Sequence, residues 1–221
     1  SLRQAIAAVG PRQVRGGGFG HAEADLRETC LTLWGLAAAR DLTSFRPDVR
    51  ASEVYLKNHY RSTRSQSEQA RILHALAEIG QGDFKLANSL YRSRNSLDPI
   101  ALAQLALVFH RLDRLPVARE LAARLPAYQS ASSDPLSGAW QLLAMARIQP
   151  GTPAAKAQAA LLLQGRGTGA GGQAAAEGLV VAALAEHLGQ GQPASDDARI
   201  TVLLDGKEIG VVTRRGATGA T

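Results

Sequence analysis

Apolar residues recur at the three-to-four-residue spacing of a helix along most of the chain. The pattern predicts helices over 2–9, 26–39, 49–60, 67–79, 84–94, 98–112, 116–125, 135–148, 153–163 and 173–188. Several starts carry residues that suit a first helical turn: Asp98-Pro99, Pro116, Asp134-Pro135 and Pro153. "FRPD" leads into the third segment, and Gly80, Gly165 and Gly189 mark stops. The helices fall into two kinds. "IALAQLALVF" and "GLVVAALAEHL" are apolar on nearly every face and must be buried on most sides. "FKLANSLYRSR" and "PVARELAARL" are shorter and more basic, with one apolar stripe. Alternation of the two kinds predicts two layers of helices, as an all-α toroid of inner and outer helices or as an α-solenoid. An internal repeat supports either. At an offset of 31, Leu76 meets Leu107, Phe84 meets Leu115, Ala87 meets Ala118 and Leu90 meets Leu121.

The pattern changes at Gly189. "GQGQPASDD" is a linker by composition, and "RITVLLDGKEIGVV" alternates around Asp205-Gly206, a hairpin signal. The expected organisation is a toroid over 1–189, a linker over 190–198, a β-hairpin over 199–213 and a tail over 214–221. A lone hairpin is marginal, so it is expected to pack on the helices or to belong to a β-domain.

Composition sharpens this picture. Apolar residues make up 45% but aromatics only 5%, so the core is built from small aliphatic side chains that suit close helix packing. The formal charge is +6, yet the arginines are scattered and form no dense run. That pattern reads as a solvated helical surface, not a nucleic-acid interface. A single cysteine excludes an internal disulfide and a cysteine zinc cluster. No apolar run reaches membrane-spanning length, and no signal peptide opens the chain. The ends, "SLR" and "RRGATGAT", read as cut from something longer.

Candidate chemistry concentrates in "GGGFGHAEADLRETC", residues 16–30. It lacks the P-loop pattern, and no strand precedes it as a dinucleotide fingerprint requires. The expected role is a tight corner in which the backbone passes close to a helix, with Phe19 as a core plug. Cys30 shares a helical face with Leu26, Leu33 and Ala37 and is expected to fill core, because a catalytic thiolate needs access and a cationic neighbour. His21 is nine residues from it. His74 and His110 lie inside helices and are read as having no second histidine or carboxylate at i+4 that would suggest a metal site. His59 and His187 sit near helix ends. Asp196 and Asp197 fall in the linker, where capping is expected. A second glycine cluster, "QGRGTGAGGQ", joins two helical segments and is read as another corner. No catalytic, metal-binding or cofactor-binding residue is assigned.

The stretches "GGGFGHAEADLRETCLTLWGLAAARD", "VRASEVYLKNHYRS" and "SEQARILHALAEIGQGD" resemble the thioester domain of the alpha-2-macroglobulin and complement family, especially the bacterial alpha-macroglobulins. So do the segment from "SGAWQLLAMARI" to "VVAALAEHL" and the final "ITVLLDGKEIG". The resemblance implies an α/α toroid whose closing hairpin returns to a flanking β-domain. It also implies a large extracytoplasmic parent, periplasmic or in the cell envelope, that traps proteases or serves envelope defence. The family's Cys-x-Glu-Gln thioester motif is absent: Leu31, Thr32 and Leu33 follow Cys30. The late family tryptophan is also missing, with Ala170 or a neighbour in its place. His21 falls near the region where complement proteins carry a histidine that steers the thioester, and it is the one interaction candidate. The expected function is therefore a non-enzymatic piece of such a protein, with no cofactor. Its partners would be flanking domains and, for the parent, proteases, with neither nucleic acid nor membrane contacted by this chain. Two alternatives stand beside it: a tetratricopeptide-like interaction solenoid, and a toroid enzyme of the terpenoid cyclase or prenyltransferase type.

Overall fold

The computed structural model describes residues 12–39, 47–128, 134–165, 174–190, 198–204 and 207–214. The helix expected over 2–9, the second glycine cluster's residues 166–173, most of the expected linker and the Asp205-Gly206 turn lie outside these.

Nine α-helices form among the described residues: α1 Leu26–Ala38, α2 Val49–Ser62, α3 Gln66–Glu78, α4 Phe84–Tyr91, α5 Pro99–Arg111, α6 Leu115–Ala122, α7 Pro135–Ile148, α8 Pro153–Gly165 and α9 Ala174–Gln190. Seven starts are fixed by a side chain that accepts an otherwise orphaned N–H. Asp25 accepts from Glu28 at 2.7 Å, Asp48 from Ala51 at 2.9 Å and Asp98 from Ala101 at 2.8 Å. Ser65, Asp83, Asp134 and Thr152 cap α3, α4, α7 and α8 in the same way. Two helices end earlier than the apolar period suggests. At α4, Ser93 Oγ bonds back to the Leu90 carbonyl at 2.9 Å and the chain tightens into a 3₁₀ turn at Arg94–Ser96. After α6, Pro126 disfavours helix at Leu125, and a second 3₁₀ turn covers Leu125–Tyr128.

The helices form two layers. The odd-numbered helices pack side by side in chain order, α1 on α3, α3 on α5, α5 on α7 and α7 on α9. The even-numbered helices lie outside, α2 on α3 and α4, α6 and α8 each across two neighbours of the inner row. Burial follows this division. Ala101 to Phe109 of α5 are buried without a break, as are Ser137 to Ala146 of α7. The outer α4 buries only Ala87 and Leu90, and α6 only Ala118, Leu121 and Ala122.

The internal repeat is visible in this packing. Ala87 and Ala118 are both fully buried, and Phe84 and Leu115 are both exposed, so the outer helices keep the offset of 31. The inner helices are shifted relative to it. Their caps, Ser65 with Asp98 and Ile79 with Leu112, match at an offset of 33. Leu76 therefore corresponds to Phe109 rather than to Leu107. The difference is absorbed in the connector, where "GQGD" is two residues longer than its counterpart. Both inner helices end on a residue in the left-handed region, Gly80 at φ 80° and Asp113 at φ 56°.

Beyond the helices, the backbone of β1 Ala198–Leu204 and β2 Lys207–Arg214 forms an antiparallel pair. Ala198 lies opposite Arg214 and Leu204 opposite Lys207, with an irregularity between Val202 and Leu203.

Candidate functional site

The glycine-aromatic stretch is a closely packed corner. Gly17 has φ 88°, and a Cβ there would lie 2.2 Å from the Ala51 carbonyl. A Cβ on Gly20 would lie 1.8 Å from the Glu23 oxygen. Only glycine fits such approaches. The corner is tied down by Ser52, whose Oγ donates to the Gly17 carbonyl at 2.7 Å, and by Thr29, whose Oγ1 accepts from the Phe19 N–H at 2.8 Å. Gln13 bridges it to the start of α2 through Ser52 and the Asp48 backbone. Phe19 is fully buried against Cys30, Leu33, Leu56 and Ile72. Cys30 is only 4% exposed. Burial pushes its thiol up to about 12, a rise that Arg71 opposes and Asp25 reinforces. A thiol held there is protonated at neutral pH and a poor nucleophile. His21 is exposed on the corner, outside this packing.

The polar groups that do converge come from the inner row. Glu78 is the last residue of α3 and its side chain is 1% exposed. Arg111, the last residue of α5, grips it with two hydrogen bonds, Nη2 to Oε2 at 2.6 Å and Nε to Oε1 at 3.1 Å. Arg147 of α7 donates Nη1 to Glu78 Oε1 at 3.3 Å and Nε to Glu186 Oε2 of α9 at 3.3 Å. Each of four successive inner helices thus supplies one charge near its C-terminal end. A glutamate at a helix C-terminus opposes the dipole, so these arginines compensate Glu78 both directly and by their own favourable placement. Burial would raise the Glu78 carboxyl, but the close approach of His74 and the hydrogen bonds and charge of Arg111 outweigh it and hold it at about 2. Such a carboxylate stays ionised at neutral pH and has little basicity, so the cluster acts as a lock between helices.

Contrary to the sequence expectation, His74 has an acidic partner at i+4. Glu78 lies one turn further on, with its Oε1 3.5 Å from His74 Nε2. That separation is too long for a good hydrogen bond, and Nε2 has no closer partner. The His74 ring stands edge-on to Trp140 of α7 at 5.0 Å, and Trp140 meets Trp34 of α1 at 5.9 Å. Among the described residues no group of three or more histidine, cysteine, aspartate or glutamate side chains could hold a metal ion.

These contacts carry geometric information. Packed helices lie about 8–10 Å apart, so in a straight row α3 and α7 would be separated by about 16–20 Å and α1 and α7 by about 24–30 Å. The side chains that bridge them require a sharply curved inner row. Above the charged cluster, toward the N-terminal ends of α1, α5 and α7, a small pocket opens. Glu78, Arg111, Arg147, Glu186 and the two tryptophans escaped the sequence reading. Only the His74–Glu78 spacing and the shared repeat position of Glu78 and Arg111 hint at them.

Comparison with known protein families, with curated proteins and with solved structures finds no match. No helix among the described residues is long and apolar enough to cross a membrane.

Proposed function

We propose that the chain is a non-enzymatic helical module of the alpha-macroglobulin thioester-domain type, an α/α toroid without a thioester of its own. The observation that carries this reading is contact across the inner row. Trp140 reaches Trp34 and His74, and Arg147 reaches Glu78, over intervening helices. A ring of inner helices has that curvature and fills its centre with long side chains, whereas an open solenoid leaves its concave face free. The glycine corner supports the same reading: it precedes an inner helix and seats Phe19, in the order the resemblance implies. In this account β1 and β2 belong to a flanking β-domain, and the parent is an extracytoplasmic protease trap whose partners are proteins.

The test uses the full-length parent, incubated with a broad-specificity protease. A trap leaves the bound protease active on a small peptide substrate and shields it from a large protein substrate. Equal loss, or equal retention, of both activities overturns the reading. A second reading, a tetratricopeptide-like interaction module, is favoured by the equivalent positions of Ala87 with Ala118 and Leu90 with Leu121 in successive helix pairs. Solution scattering separates the two, because a solenoid is elongated and a toroid is not.

A further inference from the structure

The pocket at the N-terminal ends of the inner helices has a volume of about 30 Å³. A water occupies on the order of 10–15 Å³ on this measure, so the pocket admits a group of a few heavy atoms and no whole side chain. Its polar walls are Arg27 of α1, Arg71 and His74 of α3, and Gln104 of α5, beside the indole of Trp140. None of its walls is acidic. The Arg27 and Arg71 guanidinium groups favour a negative charge, whereas the starts of α1, α5 and α7 are already occupied by the capping carboxylates of Asp25, Asp98 and Asp134. The second observation is Gln104. It is 2% exposed, and its Oε1 has no donor. A buried acceptor without a donor is unfavourable, and a ligand N–H would satisfy it. The terminal torsion of glutamine is broad, so the carboxamide can turn to a ligand without moving α5.

We propose that this pocket binds the C-terminal carboxylate of a peptide, the carboxylate facing Arg71 and Arg27 and the adjacent amide N–H meeting Gln104 Oε1. The chemistry selects this group because it places an anion and a hydrogen-bond donor within a few bonds of each other. A bare carboxylate offers the charge alone, and a peptide amide offers the donor alone. The small volume limits recognition to the chain end.

The experiment is a titration of the whole chain, followed by amide and indole NMR, with N-acetylglycine, acetate, N-acetylglycinamide, inorganic phosphate and an acetylated tetra-alanine with a free C-terminus. N-acetylglycine and the peptide are expected to give saturable shifts at the Trp140 indole and the Gln104 carboxamide in the millimolar range. Acetate, phosphate and the uncharged amide are expected to bind about tenfold more weakly, the loss of one charge-assisted hydrogen bond. Arg71→Gln is expected to weaken N-acetylglycine about tenfold with an unchanged melting temperature. The comparison among ligands on the unaltered protein stands even if that variant unfolds. Absence of saturable shifts up to about 50 mM overturns the site. Equal binding of acetate or phosphate overturns the role of Gln104. A peptide that binds tenfold more weakly than N-acetylglycine overturns the peptide assignment.

Discussion

Replacing Glu78 with glutamine removes the one negative charge shared by α3, α5 and α7. The carboxylate accepts two bonds from Arg111 and one from Arg147. Removing one partner of a buried ion pair commonly costs about 3–5 kcal/mol. Arg111 is 47% exposed and regains water when released, which pulls the cost down. The carboxyl gives an independent figure. Its value falls from 4.5 to about 2 on folding. At 1.36 kcal/mol per unit this corresponds to roughly 3 kcal/mol of stability at neutral pH. Glu78→Gln is therefore expected to lose roughly 2–3 kcal/mol in urea unfolding at pH 7. The sign of the pH effect follows from the lowered folded value. The contribution is complete above 4.5 and is lost as pH falls through about 2. The unaltered chain should accordingly lose more stability than Glu78→Gln across that window. A variant within 0.5 kcal/mol of the unaltered chain at pH 7, with the same acid slope, refutes the lock.

Gly17→Ala should cost at least about 3 kcal/mol, because its Cβ would overlap the Ala51 carbonyl at a positive φ; thermal unfolding measures it. Phe19→Ala should cost about 3–5 kcal/mol in the same assay, as expected for a fully buried aromatic. Asp113→Gly should stabilise the chain by up to about 1 kcal/mol, since it relieves a left-handed aspartate at φ 56°. Cys30 should resist a thiol-specific disulfide reagent in the native state and react fully in denaturant, and rapid native labelling would contradict its burial.

Much of the helical framework was legible because it rests on local signals. The aspartates before Pro99 and Pro135 do cap their helices, and the apolar-all-round segments do form inner helices α5 and α9. The corner at Phe19 was legible for a similar reason: four glycines around one aromatic describe a close approach. The ends of α4 and α6 were missed because short-range competitors, the Ser93 hydroxyl and Pro126, override the apolar period. The charged cluster was hidden for a different reason. Glu78, Arg111, Arg147 and Glu186 each look like a surface residue at the end of a helix. Glu78–Arg111 and Arg147–Glu186 join neighbouring helices, and Arg147–Glu78 reaches over α5; no local pattern reports which helices become neighbours or how the row curves. The Trp34–Trp140 contact is hidden in the same way, since its partners are separated by three steps of that row.

That curvature is tested most directly by a double-mutant cycle on the chain's only two tryptophans. Trp34→Leu, Trp140→Leu and the double variant are compared by urea unfolding. Rings whose centroids lie 5.9 Å apart should show a coupling of about 0.5–1.5 kcal/mol. Losses that add within about 0.3 kcal/mol would mean that α1 and α7 do not meet and would contradict the proposed toroid.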